Sequence, residues 1–112
     1  MAALVACAAV NSYLVERYLP GLAESDVRAG LTRAQAACAE FSAAGTEVRY
    51  VGSIFLPLEE ACFCRFDSDR PEAVVEVNQR AQLAFARITA GVAIAPAHNV
   101  AIVGARSSGS PR

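Results

Sequence analysis

The chain has 112 residues and a formal net charge of −1, which fits one domain. The near-neutral charge excludes a strongly basic nucleic-acid-binding protein, and the single histidine excludes a histidine-rich metal cage. No apolar run approaches the ~20 residues of a membrane span. We therefore expect no nucleic acid or membrane partner, a cytoplasmic location, and four reduced cysteines.

The two ends of the chain differ in composition from its middle. Residues 1–11 are apolar but carry no basic residue, and the segment is too short for a secretory signal, so we expect a flexible extension. Residues 12–95 contain the periodic segments of a folded domain. Residues 96–112 form a tail that ends in small polar residues, and we expect it to be partly disordered.

Six elements follow from the periodicity of the domain. Alternating apolar residues predict strands, apolar spacings of three and four predict helices, and Gly and Pro mark their ends. In chain order the prediction is a strand over 12–19, a helix over 24–44, strands over 47–56 and 61–66, a helix from 69–72 onward, and a strand over 85–94. Within these, Gly45 is placed to cap the first helix and Asp69 to cap the second.

This order predicts an α+β fold of the ferredoxin-like βαββαβ type, with two helices on one face of a four-stranded antiparallel sheet. The first and third strands are the central pair. Both alternating sets of residues in these strands include apolar groups, so a sheet with helices on one face leaves apolar surface uncovered. We therefore expect a homodimer that closes the open face as a dimeric α+β barrel.

Several segments in this order resemble a known family. The segments are Tyr13-Leu14-Val15-Glu16-Arg17 followed by Pro20, Val48-Arg49-Tyr50-Val51-Gly52-Ser53, Phe63-Cys64-Arg65-Phe66, and a helix begun by proline that contains Asn78. Over about residues 12–94 the chain is similar to small actinobacterial ferredoxin-like nickel-binding proteins. The resemblance implies a dimeric α+β barrel and binding of a divalent metal, Ni²⁺ in the named member. It implies no established reaction.

Cys62 and Cys64 are candidate metal ligands. Alternate residues on a strand lie on one face, so the two thiols could present soft ligands to nickel, zinc or copper. The other interpretation is that they are small buried apolar side chains, with Phe66 on the same face.

Glu16 is the third candidate metal ligand, because a carboxylate inside a sheet needs a partner or a wet cavity. We expect it to share a face with Leu14, Tyr18 and Arg65 and to pair with Arg65. A metal role and a satisfied ion pair are both open. This face assignment places Cys62 and Cys64 on the opposite side, so Glu16 and the cysteines are not expected to share one metal.

Four residues are candidates for lining a small-molecule pocket: Glu16, Tyr18, Tyr50 and Arg65.

His98 is the fourth candidate metal ligand. Imidazole suits nickel, but this residue lies beyond the domain on an expected loop, where a solvated surface histidine is the simpler interpretation. A site there would need carboxylates such as Glu59 or Glu60, or a residue of a second subunit.

Three functions remain open from the sequence. The first is a divalent-metal-binding homodimer, which we favour. The second is a non-catalytic dimeric interaction module. The third is an α+β-barrel enzyme with a small-molecule pocket; we assign no catalytic residue and expect no cofactor other than Ni²⁺.

Overall fold

The computed structural model describes residues 10–97. The elements are β1 (Asn11–Tyr18), α1 (Glu24–Ala43), β2 (Val48–Leu56), β3 (Ala61–Ser68), α2 (Pro71–Arg80) and β4 (Arg87–Gly91). The predicted α+β fold with βαββαβ order is confirmed. Most of the expected N-terminal extension and C-terminal tail, including His98, lies outside the described residues. Within those residues, neither helix combines the length and hydropathy that a bilayer crossing requires.

The four strands form one antiparallel sheet in the order β2-β3-β1-β4, so the central pair is β1 and β3 as predicted. Val15 lies opposite Cys64, and Glu16 lies opposite Phe63. Because opposed residues in a sheet point to the same side, this register fixes which side chains meet.

The two faces of the sheet have different surroundings. We call the face that packs on both helices the covered face. It carries Tyr13, Val15, Arg17, Cys62, Cys64 and Phe66, all of them buried. We call the opposite side the open face. It carries Leu14, Glu16, Tyr18, Phe63, Arg65 and Asp67.

Helix α1 has clear end signals. The carboxylate of Asp26 accepts the backbone N–H of Ala23 at 3.2 Å, at the positive end of the helix dipole. At the other end Gly45 has φ +98°, a conformation that favours glycine, and Thr46 donates its N–H to the carbonyl of Phe41 at 2.9 Å. The predicted cap at Gly45 is confirmed.

Helix α2 begins differently from the prediction. Asp69 does not cap it, because the residue before the helix is Arg70 and no side chain caps its first turn. The N–H of Arg70 instead donates to the hydroxyl of Ser68 at 3.3 Å, and Pro71 at the helix start has no N–H to satisfy.

Strand β4 is shorter than the predicted 85–94. It pairs with β1 only from Arg87, opposite Glu16, to Gly91, opposite Ser12. Since β1 begins at Asn11, residues after Gly91 have almost no strand left to pair with. The strand therefore ends at Gly91, although residues 92–94 are apolar.

Candidate functional site

The predicted site residues lie on both faces of the sheet. Glu16, Tyr18 and Arg65 are on the open face, whereas Cys62 and Cys64 are on the covered face. The sheet itself separates the Glu16 carboxylate from the two thiols. The fourth candidate ligand, His98, lies outside the described residues.

Cys62 and Cys64 form a close thiol pair under the helices. Their Sγ atoms are 3.7 Å apart, and both side chains are fully buried. Burial and the neighbouring Cys64 together raise the pKa of the Cys62 thiol to about 11, although Arg17 opposes the shift. The Cys62 thiol is therefore protonated at neutral pH.

Arg17 is a buried cation beside this pair, and only 1% of its surface is exposed. Its guanidinium donates to the carbonyl of Ala84 at 3.1 Å, to Oδ1 of Asn78 at 2.8 Å and to Sγ of Cys64 at 3.5 Å. Asn78 in turn donates to the carbonyl of Val74 at 2.8 Å, which fixes its amide. The Nε atom of Arg17 is buried and has no hydrogen-bond partner among the described residues.

The sequence interpretation did not single out Arg17 as a site residue, although a signal was present. Tyr13 and Val15 alternate along the strand as apolar residues of one face, and period-two alternation puts Arg17 on that same face. A charged residue at a core position of a central strand indicates a buried polar network.

On the open face, Glu16 pairs with Arg87 and not with Arg65 as expected. The Arg87 Nε atom lies 3.3 Å from the Glu16 carboxylate, in agreement with their opposed positions on β1 and β4. Arg65 lies opposite Leu14 and is turned toward Asp67 on its own strand. The expected Glu16–Arg65 pair is therefore wrong, because each partner has a nearer group of opposite charge.

Asp67 is the centre of a second polar cluster on the open face. Its carboxylate accepts hydrogen bonds from Arg49 at 3.0 Å, from Arg65 at 3.1 and 3.2 Å, and from the hydroxyl of Ser12 at 2.8 Å. Burial alone would raise the pKa of Asp67, but the hydrogen bonds from Arg65 and Ser12 and the two positive charges together lower it. The cluster borders a surface cavity of about 380 Å³ that also includes Glu47.

Tyr50 does not lie with the other pocket candidates. It opposes Phe66 on the covered face, with ring centroids 5.4 Å apart. A bulge between Tyr50 and Gly52 shifts the register of β2, so Ser53 points to the same face as Tyr50, and their hydroxyls are 2.6 Å apart. Tyr18, by contrast, is on the open face and mostly exposed.

Within residues 10–97, no three His, Cys, Asp or Glu side chains are grouped so that they could hold a metal ion. The carboxylate of Glu60, considered as a partner for His98, accepts the backbone N–H of Gly21 at 3.0 Å. The described part of one chain therefore does not supply a complete site for nickel, which takes more than two ligands.

The fold and these clusters define a small ferredoxin-like α+β protein in which no element within residues 10–97 packs on one face of the sheet. Residues 13–90 match the family described as nickel-responsive protein, SCO4226-like. The chain belongs to this SCO4226-like family, which agrees with the resemblance seen in the sequence. Comparisons with curated proteins and with solved structures gave no match.

Proposed function

We propose that the protein is a small cytoplasmic homodimer that binds a divalent metal, nickel, and that two copies meet through their open faces. The family match supports a response to nickel, because that is the property in the family's description. The observation that carries the proposal is the composition of the open face, which combines exposed apolar side chains with a half-buried carboxylate.

The apolar part of the open face favours a second copy as its cover. Ile54 on β2 is 66% exposed, and Leu14, Leu56 and Tyr18 are also exposed on this face. Together with the half-buried Phe63 they form a contiguous apolar surface across β1, β2 and β3. Surfaces of this kind in small proteins are sites of association. In a homodimer, the open face of one chain can pack against the open face of the other.

Glu16 supports the metal part of the proposal. Its side chain is 17% exposed, and its one ion-pair partner among residues 10–97, Arg87, has a side chain that is 68% exposed and free to turn away. Oxygen and imidazole groups are ligands that nickel accepts. Since one described chain lacks a complete set, the remaining ligands would come from the second copy or from His98.

Equilibrium dialysis against Ni²⁺, followed by elemental analysis, tests the metal assignment. We expect the wild-type protein to retain nickel, and Glu16→Gln and His98→Ala each to weaken retention by about tenfold or more. Glu76→Gln is the matched control, because Glu76 is an exposed carboxylate on helix α2. Failure of the wild-type protein to retain nickel would contradict the metal assignment. Equal losses of nickel retention in Glu16→Gln and Glu76→Gln would contradict a role of Glu16 as a ligand.

A further inference from the structure

The nickel proposal leaves one cluster on the covered face unused. Two thiols, Cys62 and Cys64, lie beside the guanidinium of Arg17, and all three side chains are buried. Each of these groups is polar or ionisable, and each lies where an apolar side chain would pack at lower cost. Their combination indicates a ligand that needs both sulfur atoms and a nearby positive charge.

The charge of Arg17 is not balanced by an acid. Among residues 10–97 it forms no salt bridge, and its three acceptors are a carbonyl, an amide and a thiol. Buried arginines are normally paired with carboxylates because an uncompensated charge is expensive to remove from water. One negative charge at the thiol pair would balance this cation.

The two thiols are close enough for a small side-chain rotation to let them share one metal ion. Metal–thiolate bonds are about 2.3 Å long, so two sulfurs on one ion lie at most about 4.6 Å apart. A two-coordinate ion holds its sulfurs nearly opposite each other, so the observed Sγ–Sγ separation of 3.7 Å must widen by about 0.9 Å when the ion binds. A disulfide fits less well: alternate Cα atoms on a strand are about 6.5–7 Å apart. That is the upper end of the range of about 4.4–6.8 Å that a disulfide spans.

The number of ligands selects the ion. Zinc requires about four ligands and nickel also takes more than two, whereas the described residues offer these two thiols and no third ligand grouped with them. Copper(I) is a soft ion that two thiolates alone can hold. A copper(I) ion with two thiolates carries a net charge of −1, which would balance the positive charge of Arg17.

We propose that Cys62 and Cys64 bind one copper(I) ion as a pair of thiolates, with Arg17 as the counter-charge. On binding, each thiol loses its proton to solvent and forms one copper–sulfur bond, and the oxidation states of copper and sulfur do not change. A cavity of about 180 Å³ is lined by Cys62 and Arg17 and gives the ion a route from the surface. Its other charged residues, Asp26 and Arg33, have opposite signs and leave the balance unchanged.

Anaerobic titration with copper(I) against a chromogenic copper(I) chelator tests the proposal. The wild-type protein is expected to withdraw one copper ion per chain from the chelator. Cys62→Ser and Cys64→Ser are each expected to lose affinity by about a hundredfold. Cys38→Ser is the matched control, since Cys38 is also buried but lies on helix α1, and Cys7→Ser excludes the remaining cysteine.

X-ray absorption of the copper-loaded wild-type protein gives a readout that does not depend on the variants folding. It is expected to find two sulfur neighbours. Arg17→Met is expected to keep these two sulfur neighbours but to bind copper(I) about tenfold more weakly.

Three results would overturn the proposal: no copper withdrawn by the wild-type protein, nitrogen or oxygen neighbours at the ion, or an equal loss in Cys38→Ser. Nickel retention by Cys62→Ser separates this site from the nickel site, because the two proposals use opposite faces of the sheet.

Discussion

Glu16 and Arg17 are consecutive residues of one strand, but they point to opposite faces and have very different surroundings. Arg17 is 1% exposed and held by fixed partners from β3, α2 and the segment after it. The side chain of Glu16 remains 17% exposed, and its one ion-pair partner in the described part of the chain is itself exposed. One face of the sheet is therefore packed against the helices as a protein core, and the other still has exposed groups available for a partner protein.

The comparison explains why the two charges should differ in their contribution to folding. In a low-dielectric interior each hydrogen bond is stronger, and each broken one leaves a buried group without a partner. On a solvated surface, water replaces a lost ion pair at little cost. Substitutions on the two faces of the same sheet can measure this difference.

Arg17→Ala is expected to have the largest effect. It removes the donor for Asn78, the Ala84 carbonyl and Cys64, and it leaves a cavity, so the free energy of unfolding should fall by about 3 kcal/mol. Chemical denaturation measures this loss. Arg28→Ala is the control, because Arg28 forms an exposed pair with Glu24 and should change stability by less than about 0.5 kcal/mol. Equal effects of the two variants would contradict the claim that the covered face is packed as a protein core.

Asp67→Asn is expected to have an intermediate effect that depends on pH. The pKa of Asp67 is lowered in the folded protein from its ordinary 3.8, so the carboxylate stabilises the fold above that value. The contribution is lost as pH falls through the folded pKa. At neutral pH the variant should be less stable by about 1–2 kcal/mol.

Denaturation curves from about pH 5 to about pH 3 test the sign of this effect. Wild-type stability should decline more steeply than that of Asp67→Asn as the pH is lowered. Parallel slopes would show that the two arginines and Ser12 do not stabilise the carboxylate.

Arg87→Ala is expected to have the smallest effect on folding. The Glu16–Arg87 pair is separated by 3.3 Å and its arginine is largely exposed, so its loss should cost less than about 0.5 kcal/mol. The same denaturation measurement applies. A loss as large as that of Arg17→Ala would mean that the open face is already organised like a core.

The sequence predicted the fold well because the periodic signals were local and consistent. The apolar spacing of α1 and the glycine after it identified the first helix and its end, and Val27, Ala34 and Cys38 of this helix are buried. Alternation in β1 and β3 assigned both faces correctly. These features depend on residues close together in the chain.

The candidate site was less predictable because its contacts depend on register. Pairing of Glu16 with Arg87 follows from which residues β1 and β4 place opposite each other, and sequence alone does not state that register. Asp67 was missed because β3 was expected to end at Phe66, one residue before it. Tyr50 was a pocket candidate with Glu16 but lies on the covered face, and a bulge in β2, which has no clear sequence signal, decides which of its residues share a face.

The central claim is that the open face is covered by a second copy of the chain. Sedimentation at low micromolar concentration tests it most directly. The wild-type protein should sediment as a species of twice the chain mass of 11.7 kDa. Ile54→Lys, which places a charge within the exposed apolar surface, should sediment as folded single chains. Folded wild-type single chains at that concentration would contradict the account.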